Sequence, residues 1–136
     1  MAGLAKERQS MGEHPEFEGE MRDYLAAFNS GDFDRVASYW TEDVVSCPPV
    51  GEEIRGRAAL REYYRQVFAS MAPQLTDYTY EHRFSADLVV VRESWTVTMN
   101  PPGQESRSHR GRGLWVGRQE ADGVWRAFWS LARLDS

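Results

Sequence analysis

The chain has 136 residues, 41% hydrophobic, 12% aromatic and 27% charged, with a formal net charge of −5. That length fits one domain around one core, and the composition excludes a disordered chain and argues against non-specific nucleic-acid binding. The apolar runs are too short to cross a bilayer, the first residues lack a signal peptide's apolar segment, and the single Cys47 excludes an intramolecular disulfide or a thiolate-rich zinc site, so a bacterial cytoplasm is expected.

Residues 1–14 are polar and without period, and read as a loose leader to a single domain over 15–136. From Pro15, Phe17, Met21, Tyr24, Leu25 and Phe28 recur at helical steps, predicting a helix that ends at Asn29-Ser30-Gly31. Asp32 caps a second helix in which Phe33, Val36, Ala37 and Trp40 share a face, ended by Thr41-Glu42-Asp43. A short strand follows at Val44 to Cys47, and Pro48-Pro49-Val50-Gly51 breaks it. A third helix spans Arg57 to Met71, with Pro73 as its stop.

Beyond Pro73 the period falls to two in four segments, Thr76–Phe84, Leu88–Met99, Ser106–Arg118 and Val124–Leu134, joined as an antiparallel meander. Three helices followed by a long sheet predict an α+β fold, a cone-shaped barrel whose helices pack on a curved, mostly antiparallel sheet. Alternation places His109, Gly111, Gly113, Trp115 and Gly117 on one face with Val89, Val91, Glu93, Trp95 and Val97, and puts Arg92, Arg110, Arg112, Arg118 and Arg126 on the other. The last strand is assigned Trp125, Ala127, Trp129 and Leu131 inward, with Trp129 near Gly113. Glycines on one strand face mark either sheet bending or room for a ligand.

Glu93, between Val91 and Trp95 on the inner face, is desolvated there and its pKa is raised, which suits general acid–base work; the competing reading is a structural pair with an arginine or a tyrosine hydroxyl. His82, in phase with Tyr78, Tyr80 and Phe84, is placed to share a cavity with Glu93, or else is a hydrogen-bonded core histidine. Trp40, Trp95, Trp115, Trp125 and Trp129 form either a plain aromatic core or the walls of a site for a flat, apolar ligand. Cys47 reads as a small packing residue rather than a nucleophile. The binding candidates are Trp40, Cys47, Tyr80, Trp95, His109, Gly113, Trp115 and Trp129; with no phosphate loop, dinucleotide fingerprint or metal-ligand cluster, a site without cofactor or metal is expected.

The run Tyr24-Leu-Ala-Ala-Phe-Asn-Ser-Gly-Asp-Phe-Asp-Arg-Val-Ala-Ser-Tyr-Trp-Thr-Glu-Asp-Val-Val, then Ile54-Arg-Gly-Arg-Ala-Ala-Leu-Arg and the four strands, resembles the SnoaL-like branch of the nuclear-transport-factor-two-like superfamily, in particular its SgcJ/EcaC-type members. The resemblance spans roughly Pro15 to Leu134 and implies the cone fold. It also implies that Tyr24 stands where ketosteroid isomerases hold an oxyanion with a tyrosine, whereas their base falls at Cys47 or Pro48 and their second aspartate near Gly113. The hydrolytic triad of the epoxide hydrolases falls on Trp95, Glu93 and Ala127, and His82 is similar in placement to the histidine of scytalone-type dehydratases. The expectation is a cofactor-independent enzyme of natural-product tailoring, moving protons in an apolar, polyketide-like substrate with Glu93 as base or acid, His82 as relay and Tyr24 as hydrogen-bond donor. A binding protein that carries a hydrophobic intermediate and an oligomerisation module are the alternatives; a homodimer is expected, and neither nucleic acid nor membrane is expected as a partner.

Overall fold

The structure, a computed structural model, describes residues 14–135. The expected leader lies outside those residues except for His14, whose ring centroid is 4.4 Å from that of Phe84 and 4.8 Å from that of Trp125.

Helix α1 (Glu16–Ser30) begins after Pro15 with Glu16 and Glu18 in its first turn, where carboxylates favour the positive end of the helix dipole. It buries Phe17, Met21, Ala27 and Phe28 and stops at Gly31, whose φ of +75° is the left-handed conformation glycine adopts without strain. Asp32 caps α2 (Phe33–Ala37) by accepting from the Arg35 N–H, as the sequence suggests.

That second helix is shorter than its periodicity predicts. Strand β1 (Trp40–Cys47) begins where a helical turn was expected. The Ala127 N–H donates to the Tyr39 carbonyl and the Arg57 guanidinium to the Trp40 carbonyl, so partners distant in sequence take the groups a longer helix would have used. A two-residue strand β2 (Ile54–Arg55), not foreseen, pairs with β1 and leads into α3 (Arg57–Met71).

The four long strands, β3 (Gln74–Ser85), β4 (Leu88–Met99), β5 (Arg107–Gln119) and β6 (Trp125–Leu134), form the expected meander. The sheet order is β2-β1-β6-β5-β4-β3, with β1 parallel to β6 and every other pair antiparallel. The fold is therefore α+β, with three helices covering one face of a six-stranded, mostly antiparallel sheet.

The end of α1 is tied to the start of β3 by one side chain. Asn29 accepts from the Leu75 N–H at 2.7 Å and donates to the Leu75 carbonyl at 2.9 Å, so it mimics a strand partner on the open edge of β3, on the side of Leu75 away from Val97 of β4.

Two bulges decide which side chains face inward. Between β5 and β6 the pairing passes from Val116 with Trp129 to Gly117 with Ala127, leaving Phe128 as the extra residue. The alternation therefore reverses past Phe128, and Trp129 turns outward, 60% exposed, in correction of its expected place in the wall. Ser130 and Ala132 take the inner positions, and Ala132 rather than Trp129 pairs with Gly113. The second bulge lies between Thr76 and Thr79 of β3, at Asp77, whose φ is +51°.

The core has two parts. One gathers Phe28, Val36, Trp40, Val44, Leu60, Trp95 and Val97 between the helices and the sheet. The other gathers Phe17, Met21, Val89, Val91 and Trp125 under the start of α1. Phe17 and Leu60 are each 1% exposed, and burial of such a side chain contributes about 2–3 kcal/mol.

Candidate functional site

The helices do not fill the concave face of the sheet. A cavity of about 380 Å³ remains, lined by aromatic and aliphatic side chains from α1 and α3 and from β1, β3, β4, β5 and β6. This volume is within the range of small-molecule sites.

Deep in this cavity lies Glu93. Its Oε1 accepts from the Tyr78 hydroxyl at 2.8 Å and the Trp115 indole N–H at 2.7 Å, and its Oε2 accepts from the Trp95 indole N–H at 3.0 Å. All three donors are neutral. Burial pushes the Glu93 pKa above the ordinary carboxylate value of 4.5, and the hydrogen bonds from Tyr78, Trp95 and Trp115 oppose that rise by favouring the anion. The structural pairing considered from sequence, with a tyrosine hydroxyl, is present, but it leaves Glu93 without a cation.

The glycines of β5 are explained by the side chains opposite them. A Cβ at Gly111 would stand 1.8 Å from a Trp95 ring carbon, and a Cβ at Gly113 would stand 3.4 Å from both Cγ and Oε2 of Glu93. At Gly117 it would meet the Trp115 ring at 2.8 Å and the Arg126 carbonyl oxygen at 2.9 Å. Glycine thus seats the two indoles and the carboxyl group they hold, a third use beside bending and open ligand space. Register gives the reason, since Trp95 pairs with Gly111 and Glu93 with Gly113 across β4 and β5.

Tyr24 also lines the cavity, and burial, Tyr64 and Glu93 raise its pKa well above the ordinary tyrosine value, with the Trp40 indole acting in the opposite direction. Tyr64 and Tyr78 are raised in the same way, chiefly by burial. These phenols stay protonated and can donate, and Glu93 is the carboxyl group with a raised pKa that lies among them.

Of the residues singled out from sequence, Glu93, Tyr24, Trp40, Cys47, Trp95, Gly113 and Trp115 line the cavity. His82 does not. It pairs with Val91, one inner-face position from the Tyr80–Glu93 pair, and its ring packs at centroid distances of 5.2 Å from Phe17, 5.7 Å from Tyr80 and 5.1 Å from Phe84. Burial there lowers its pKa, with Glu18 opposing. Tyr80 belongs to the same aromatic row, which Phe17 of α1 covers, and neither ring is part of the cavity lining. His109 pairs with Val97 and likewise lies outside the lining, and Trp129 is on the outer face.

Two residues of the site escaped the sequence reading. Tyr78 was grouped with the inner row of β3, but the bulge at Asp77 that accompanies its contact with Glu93 has no signature in alternation. Glu20, on α1, lines the cavity and accepts from the Trp125 N–H at 2.8 Å; burial raises its pKa. A helical carboxylate one turn from Glu16 reads as solvated until the partner face is known. Among the described residues no three His, Cys, Asp or Glu side chains converge where a metal ion could sit, and no helix is long and apolar enough to cross a membrane.

A helix-covered cone of this topology is the fold of the nuclear-transport-factor-two-like class, also called cystatin-like. The profile of the SnoaL-like domain matches residues 21–128, and the chain belongs to that family. No curated protein matches it. Among solved structures it is similar to a ketosteroid isomerase-like protein from Erwinia carotovora atroseptica, with 26% identity, a TM-score of 0.74, and coverage of 91% of this chain and 97% of that one. It is also similar in fold to a protein named as a scytalone dehydratase from Novosphingobium aromaticivorans, with 15% identity, a TM-score of 0.81, and coverage of 93% and 87% respectively. A third, an NTF2-like protein with a cystatin-like fold from the same organism, shares 21% identity at a TM-score of 0.73, covering 100% of this chain and 90% of that one.

Proposed function

We propose that the chain is a cofactor-independent enzyme that transfers protons within an apolar small molecule, of the isomerase, cyclase or dehydratase type, with Glu93 as the proton-transferring group. The observation that carries this reading is a buried carboxylate held by three neutral donors inside a cavity of ligand size. Preorganised donors fix the carboxyl group, desolvation raises its basicity, and Tyr24 is the hydroxyl placed to donate to a substrate carbonyl or enolate oxygen. The names of the ketosteroid isomerase-like and scytalone dehydratase neighbours support this reaction class. The sequence resemblance to SgcJ/EcaC-type proteins supports a place in natural-product tailoring. His82 drops out of the proposed mechanism because it does not reach the cavity.

The test begins with native mass spectrometry of protein purified from its producing organism and identification of any small molecule released. Incubation of that molecule with the protein then gives a product, and Glu93→Gln lowers turnover about a hundredfold or more with the fold intact. Unchanged turnover in the variant removes Glu93 from the mechanism. Return of the molecule unaltered supports the alternative, a carrier, which is favoured by the absence of carboxylates at the Cys47, Pro48 and Gly113 positions.

Pairing of two copies through the outer sheet face is part of the same proposal. Val90, Leu114, Trp129 and Leu131 are 43%, 46%, 60% and 58% exposed there, and Val90–Val116–Trp129 and Leu114–Leu131 lie side by side across the strands. Arginines at 92, 112 and 118 border them, so an apolar patch lies within the arginine-bearing outer face expected from alternation.

A further inference from the structure

The described residues that line the cavity include no arginine, lysine or histidine. Its charged side chains are Glu93 and Glu20. Glu93 is bound by neutral donors alone, and Glu20 by a backbone N–H. Arg126 is the cation nearest in effect to Glu20, but its guanidinium is engaged by Glu120, Asp122 and the Ser38 carbonyl. The rest of the wall is rich in rings, including Tyr24, Trp40, Tyr64, Trp95, Trp115 and Trp125.

Two carboxylates in a low-dielectric cleft set a negative potential that no cationic side chain of the cavity offsets, and such walls focus the field on whatever enters. Aromatic rings add attraction for cations through their negative faces. An anionic ligand would meet repulsion from both carboxylates without a compensating donor of positive charge.

We propose that the cavity selects cations: its ligand is an apolar molecule of about two fused rings carrying a protonated amine, with the two carboxylates as counter-charge. This rests on the small-molecule reading of the cavity given above and narrows it to a substrate class. The amine need not be the reacting group. Its charge anchors one end of the ligand, while the apolar body lies along the ring-lined wall.

The experiment compares three probes of one shape, 1-naphthylmethylamine, 1-naphthylmethanol and 1-naphthoate, by isothermal titration calorimetry at pH 7. The amine binds at least about tenfold more tightly than the alcohol, and the naphthoate binds weakest. In Glu20→Gln and in Glu93→Gln the preference for the amine over the alcohol shrinks, while affinity for the alcohol itself changes less. Should Glu93→Gln fail to fold, Glu20→Gln alone carries the comparison. An alcohol that binds as well as the amine, or a preference untouched by Glu20→Gln, overturns the cation proposal and leaves the cavity as a neutral apolar site. Absence of binding by all three probes overturns the small-molecule reading and this proposal with it.

Discussion

Replacement of Gly111 by alanine tests the seating of the site at its tightest point. The new Cβ would stand 1.8 Å from one Trp95 ring carbon and 2.1 Å from another, where carbon atoms in contact keep about 3.5–4.0 Å, so the indole must retreat by about 2 Å. That displacement breaks the 3.0 Å hydrogen bond from Trp95 to Glu93. Overpacking of this kind costs about 1–3 kcal/mol, and loss of a hydrogen bond to a charged group costs about 1.5–3 kcal/mol, so Gly111→Ala is expected to destabilise by about 3–5 kcal/mol. With a urea slope of about 2 kcal/mol/M, the unfolding midpoint drops by about 1.5–2.5 M. The backbone at Gly111 is not left-handed, so the cost is steric rather than conformational. A Trp95→Ala background distinguishes the cause: there the added methyl meets no ring, and the cost of Gly111→Ala falls to about 1 kcal/mol or less. Gly19→Ala serves as control, since its nearest neighbour is a flexible Arg22 nitrogen at 3.8 Å and alanine favours a helix by about 1 kcal/mol. A loss below about 1 kcal/mol in the parent chain, or an equal loss in both backgrounds, refutes the argument that glycine makes room for Trp95.

Asn29→Ala strands the N–H and carbonyl of buried Leu75, and is expected to lower stability by about 2–4 kcal/mol in urea unfolding, whereas Ser30→Ala, at a more exposed hydroxyl, changes little. Glu93 gives a pH dependence of known sign: with its native pKa raised, the folded state keeps the proton longer, so the contribution of Glu93 to stability is largest below about pH 4.5 and is lost as pH rises through the native value. The difference in unfolding free energy between Glu93→Gln and the parent chain therefore grows in the variant's favour across that interval, and a flat difference contradicts the burial argument. Tyr78→Phe removes a donor that favours the anion, so the decline extends to higher pH than in the parent chain, as pH-dependent urea titration would show. Trp129→Asp is expected to weaken the proposed self-association by about a hundredfold or more in sedimentation equilibrium while leaving the urea midpoint of the dissociated chain nearly unchanged, because the indole it replaces is exposed. A distribution of species identical to the parent's removes the outer face from the interface.

What the sequence disclosed depended on how local the governing interaction was. Helix α1 was legible because its apolar spacing, proline start and Gly31 stop all act within a few residues. The inner face of β4 and β5 was legible through strict alternation, which identified Glu93, Trp95 and Trp115 as neighbours. Alternation misassigned Trp129 because one extra residue, Phe128, reverses the phase, and a bulge is decided by the partner strand and the sheet's curvature. The length of α2 was overestimated because the groups that end it belong to Arg57 and Ala127, far along the chain. His82 kept the expected strand partner yet missed the cavity, since the covering Phe17 comes from a helix whose angle no strand pattern encodes. The role of the β5 glycines was within reach, because the turn after Met99 pairs Trp95 with Gly111 and Glu93 with Gly113.

The parallel contact of β1 with β6 has a consequence for the order in which the molecule is made. Strand β6 is the last of the described strands in sequence, yet it lies between β1 and β5 in the middle of the sheet. A nascent chain that has not yet released β6 holds a meander of β3, β4 and β5 in which β5 is a free edge as well as β3, and a β1 with no long partner beside it. Closing the cone joins segments more than eighty residues apart, a high-contact-order step with a large loop entropy to overcome. Exposed strand edges persist until then, so a ribosome stalled before Trp125 presents a chain prone to pair with other chains, and release of the final ten-residue strand is the event that completes the sheet.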